Sequence, residues 1–63
     1  MTSEERREAL LDRLEREAEP VSASSLARSF HVSRQIVVGD VALLRAAGAE
    51  IAATPRGYLL QRQ

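Results

Sequence analysis

The sequence predicts a mostly α-helical domain, three helices followed by a small β-hairpin, and three observations predict it. Apolar side chains recur at helical spacing in three separate stretches. Hydroxyl-bearing caps, Pro20 and Gly48 mark where those stretches begin and end. After Gly48 the helical period gives way to two short β-prone runs around Thr54-Pro55-Arg56-Gly57.

The first helix is expected to start at Thr2, because Thr2-Ser3-Glu4-Glu5 has the form of a capping box in which Glu5 reaches back to the cap. Leu10, Leu11, Leu14 and Ala18 form its apolar stripe, and Asp12 and Arg16 make a favourable i, i+4 pair. Pro20 stops the helix, since the residue before a proline is pushed out of the α region; Pro20-Val21 is read as a very short strand. Ser22 caps a second helix that runs to Phe30, with Ser24 and Ser25 also able to bond early amides and with Leu26, Ala27 and Phe30 facing the core. Only His31 and Val32 separate it from a third helix, which is capped by Ser33 and striped by Val37, Val41 and Leu44. That helix runs to about Ala47 and ends at Gly48, the usual residue for a left-handed C-terminal position. Two short helices joined by so tight a turn outline a helix-turn-helix. In the tail, residues 50–54 and 57–61 flank a turn with proline early and glycine at its end. Together these elements describe a winged helix-turn-helix, one domain over residues 1–63.

Sixty-three residues allow one small domain, which buries only about 60% of its unfolded surface. Phe30 and Tyr58 are the only aromatics, so the core must be aliphatic, and the absence of cysteine excludes disulfides and thiolate chemistry. No apolar run approaches the roughly 20 residues of a membrane span, and the charged N-terminus is unlike a signal peptide. A soluble, cytoplasmic domain without a membrane partner is expected. A single histidine, no glycine-rich phosphate loop and no paired carboxylates in an apolar setting argue against an enzyme, a metal site, a cofactor or a small-molecule site in this chain.

Net charge is zero and the isoelectric point is 6.6, lower than the value above about 9 usual for a simple basic DNA binder. The distribution is uneven. Residues 1–19 hold seven acids against four arginines, −3, whereas residues 20–63 hold Arg28, Arg34, Arg45, Arg56 and Arg62 against Asp40 and Glu50, +3. All nine basic residues are arginine, the better bidentate partner for phosphate and guanine.

The residues that carry chemistry cluster in the basic part. Arg34 and Gln35, just inside the third helix, are the side chains best suited to guanine and adenine edges in a major groove. A cation at a helix N-terminus opposes the macrodipole, so helix stability does not explain Arg34. Ser33 is a cap, with a second role on phosphate, because helix N-termini attract anions. Val38 lies off the buried stripe, where it can touch a thymine methyl. Arg56 stands at the hairpin tip, in reach of phosphate or the minor groove. Arg28 is a candidate phosphate contact; Arg45 reads more readily as solvated or ion-paired. His31 reads as a solvent-facing turn residue. Asp40 would repel DNA if it faced the groove and is expected to pair with an arginine such as Arg45. Gly39 weakens the helix by about 1 kcal/mol relative to alanine and offers no side chain, which reads as a lost contact. Leu10, Leu11 and Leu14 read as core, with a dimer seam as the lesser alternative.

Read together, Val21-Ser22, Leu26-Ala27, Phe30, Val32-Ser33-Arg34-Gln35, Asp40-Val41, Leu44-Arg45, Gly48 and Pro55-Arg56-Gly57-Tyr58 resemble the N-terminal winged helix of bacterial biotin protein ligase/repressors. The resemblance is closer to niacin-responsive transcriptional repressors, and it spans nearly the whole chain. It implies sequence-specific binding of double-stranded DNA by the DNA-binding module of a repressor of niacin/NAD-type metabolism, acting as a homodimer on its operator. The ligand-sensing domain that follows in that family is not among these residues, so the co-repressor site is expected outside them. Two alternatives stay open: a biotin-ligase-type regulator, and a winged helix used for protein–protein contact, to which the neutral charge and acidic first helix lend support.

Overall fold

A computed structural model describes residues 1–61 of the chain; Arg62, counted above with the basic half, lies outside the described residues. Three helices, α1 (Ser3–Arg16), α2 (Ala23–Phe30) and α3 (Arg34–Ala46), precede a hairpin of β1 (Ile51–Thr54) and β2 (Gly57–Leu60). The winged helix-turn-helix architecture expected from the sequence is the one observed.

Each helix begins where its cap dictates. Thr2 Oγ1 accepts the Glu5 amide at 3.1 Å while Glu5 Oε1 accepts the Thr2 amide at 2.8 Å, the reciprocal capping box. Ser22 Oγ accepts the Ser25 amide at 3.1 Å, and Ser33 Oγ accepts the Ile36 amide at 3.2 Å. Between α2 and α3 the chain turns in two residues. His31 takes the left-handed conformation (φ 56°, ψ 43°), its amide donates to the Arg28 carbonyl at 3.4 Å, and the Val32 amide donates to Ala27 at 3.0 Å. These are the paired bonds of a Schellman ending, with histidine in the place glycine usually holds. The Val32 side chain then packs on the core, and His31 stays exposed, as expected for a turn residue.

The core is aliphatic: Leu10, Leu14, Val21, Ala23, Leu26, Ala27, Val37, Val41 and Ile51 are buried, with Leu11, Phe30, Leu44, Tyr58 and Leu60 half-buried against them. Leu10 and Leu14 are taken up by this core, so they supply no dimer seam. Ala18 departs from the expected stripe. The helix ends at Arg16, Glu17 is already extended (φ −93°, ψ 131°), and Ala18 is exposed. The chain must leave α1 early, because Val21 has to lie flat beside Tyr58 and Pro20 forbids a helical Glu19.

Val21 and Tyr58 exchange both backbone hydrogen bonds, 2.9 and 2.8 Å, so the short strand expected at Pro20-Val21 is a single-residue bridge on the outer side of β2. On its other side β2 pairs antiparallel with β1, Ile51 opposite Leu60 and Thr54 opposite Gly57. The Gln61 amide extends the pairing to the Glu50 carbonyl at 2.8 Å. Gly57 has φ 136°, and a Cβ there would lie 2.4 Å from the Val21 carbonyl carbon. Only glycine permits both the conformation and that approach.

Candidate nucleic-acid interface

Helix α3 is divided lengthwise by burial. Val37, Asp40 and Val41 are buried and Leu44 half-buried, whereas Ser33, Arg34, Gln35, Val38, Gly39, Ala42 and Arg45 are exposed. The apolar stripe therefore anchors the helix and turns its first-turn polar side chains outward. Arg34 and Val38, four residues apart, share one flank of that outward surface. The backbone at Gly39 has open space where a Cβ would sit, so no packing contact demands glycine there.

The wing brings a second cation to the first. Its turn is held by Thr54, whose Oγ1 donates to the Gly57 carbonyl at 2.7 Å and accepts the Arg56 amide at 3.2 Å. Arg56 and Arg34 line the same open groove of about 330 Å³, together with Ser22 and Ser24 at the start of α2 and with Thr54 and Tyr58. Arg28 is exposed near the end of α2, outside that groove.

Electrostatics separates the arginines into two sets. Arg6 and Arg7 bind Asp40, Arg13 binds Glu17 at 3.0 Å, Arg16 binds Asp12 at 3.1 Å, and Arg56 meets Glu19 at 3.3 Å. Among the described residues Arg28, Arg34 and Arg45 have no acidic partner. A chain with no net charge thus leaves uncompensated cations on α2 and α3.

Asp40 has the role of a positioner, but not with the expected partner. It is 3% exposed, and its carboxylate receives Arg6 Nε at 2.5 Å and Arg6 Nη2 at 3.0 Å, with Arg7 Nη1 at 3.6 Å. Arg45 is five residues further along the same helix, about 140° around its axis, and cannot reach it. The contact pins α3 to α1, and the carboxylate holds the Arg6 guanidinium above its ordinary pKa. The signal was present in the sequence: Asp40 borders the arc of Val37, Val41 and Leu44, about 40° from Leu44, and a buried carboxylate requires a cation. Which cation depended on the packing of α1.

A family model described as "HTH domain" matches residues 6–59. The chain belongs to this HTH domain family. Its HTH domain is 51% identical over 57 residues to the probable transcription repressor NiaR of Thermotoga maritima, covering 90% of this chain and 33% of that protein. It is 41% identical over 54 residues to the transcription repressor NadR of Bacillus subtilis, covering 86% of this chain and 30% of that one. The HTH domain therefore spans about a third of the length of the relatives it matches. No helix among the described residues is long and apolar enough to cross a membrane.

Proposed function

We propose that this HTH domain binds double-stranded DNA sequence-specifically, as the DNA-binding module of a bacterial transcription repressor rather than as an enzyme. The observation that carries the reading is the convergence of Arg34, in the exposed first turn of α3, and Arg56, at the wing tip, on one groove beside the start of α2. Helix α3 enters the major groove, where Arg34 and Gln35 read base edges and Val38 meets a thymine methyl. Ser33, Arg28 and the first amides of α2 rest on phosphates, and Arg56 reaches phosphate or the minor groove. The resemblance to niacin-responsive repressors points to operators of niacin/NAD-type genes, and relatives named as transcription repressors support the repressor role. Two copies on half-sites about one helical turn apart, or a multiple of it, supply the affinity that one copy lacks.

Selection of bound duplexes from a random pool, followed by affinity measurement with Arg34→Ala, tests the reading. The selected site is an inverted repeat, and the variant binds it about 5- to 150-fold more weakly, a loss of roughly 1–3 kcal/mol, with preference relaxed at one base pair. Unchanged affinity in a folded Arg34→Ala protein would overturn the assignment. No enrichment at all would favour the protein-contact alternative.

A further inference from the structure

We propose that Glu19 is a built-in competitor for the phosphate that Arg56 would grip, so that one carboxylate sets the strength of the wing contact. The inference rests on the reading of Arg56 as a DNA contact. Glu19 Oε2 lies 3.3 Å from Arg56 Nη2 although the two are 37 residues apart, and both side chains are about three-quarters exposed, 74% and 76%. The carboxylate oxygen takes the guanidinium hydrogen that a phosphate oxygen would take, in the same charge-assisted geometry.

The backbone enforces this meeting. Pro20 holds Glu19 out of the helical region. The doubly bonded Val21–Tyr58 bridge fixes the chain two residues later, and the absent Cβ of Gly57 lets the wing lie directly against Val21 and Ser22. Arg56, one residue before Gly57, is thereby brought beside Glu19. The first cation the wing presents is thus already half-satisfied by the linker between α1 and α2.

An exposed pair of this kind is weak, so Glu19 yields to DNA rather than blocking it. It still opposes binding twice, by occupying Arg56 and by repelling the phosphate that replaces it. Glu19→Gln removes the charge behind both effects and is expected to tighten binding roughly two- to tenfold at low salt. The gain shrinks as salt rises and screening shortens to a few ångströms.

The experiment is a double-mutant cycle on the intact chain. Wild type, Glu19→Gln, Arg56→Gln and the double variant are titrated with a labelled mixed-sequence duplex of about 30 base pairs, at low and at high salt. Helical circular dichroism verifies that each is folded. The proposal holds if Glu19→Gln tightens binding clearly more in the wild-type background than in the Arg56→Gln background. It is overturned, with the wing contact left intact, if Arg56→Gln weakens binding and Glu19→Gln changes nothing. It is also overturned if Glu19→Gln tightens binding equally in the Arg56→Gln background, which would mark a general charge effect. If Arg56→Gln itself binds like wild type, the wing contact fails and the proposal with it.

Discussion

Gly39 sits midway along α3 with open space where a side chain would be, so the protein's own packing gives no reason for it. Alanine there should raise stability by about 1 kcal/mol, read from urea unfolding, because glycine is the poorer helix former. If the position is a lost contact, DNA affinity stays within about twofold of wild type; a clear loss would instead place the α3 backbone against the duplex. Asp40, one residue on, has the opposite character. Buried and bound by two arginines, it is the charged side chain whose neutralisation should be felt most. Asp40→Asn keeps the shape but leaves Arg6 and Arg7 without their anion, and the thermal midpoint is expected to fall by about 5–10 °C. That Asp40 needed a partner was legible from its place at the edge of the apolar arc. That the partner is Arg6 was not, because the pair spans 34 residues.

The helix starts, and the ends of α2 and α3, were readable because caps and breakers act within four residues. Thr2, Ser22 and Ser33 cap as their chemistry predicts, Gly48 takes the positive φ (108°) expected past the end of α3, and the hairpin turn forms at Pro55-Arg56. The end of α1 was not readable, since it is set by the bridge to Tyr58 and not by Pro20 alone. The capping box also gives α1 a pH signature. The Thr2 amide and hydroxyl hold the Glu5 carboxyl below its ordinary value of about 4.5. A depressed folded pKa contributes stability that is present above the unfolded value and lost as pH falls through the folded one. Acid titration below about pH 4.5 should therefore fray α1 from its N-terminus, seen as loss of helical ellipticity. The decrease should be smaller in Glu5→Gln, whose amide does not titrate.

Across the whole molecule, zero net charge conceals a division between paired and unpaired cations. The arginines of α1 are consumed by Asp40, Asp12 and Glu17, Arg56 is engaged by Glu19, and Arg28, Arg34 and Arg45 remain without acids among the described residues. Few phosphate contacts follow from so few open cations. With three to five contacts per copy, the slope of log affinity against log salt should be roughly −3 to −4.5 for one copy and about double that for two copies on an inverted repeat. Titrations across a range of salt on half-site and full-site duplexes measure it. A full-site slope equal to the half-site slope would argue against paired binding.

By itself the sequence determined the elements and their order, the buried stripes of the helices apart from Ala18, and a third helix with Ser33, Arg34 and Gln35 turned to solvent. All of these follow from local periodicity, caps and turn residues. Only the tertiary structure decided which charges meet. It gave Asp40 to Arg6 and Arg7, set Glu19 on Arg56, and brought Arg56 to the groove of Arg34. Those pairs join residues far apart in the chain, and no helical or strand period carries information over such distances. The close approach of Gly57 to Val21, and the packing of α1 on α3, had to be formed before these charges could find one another.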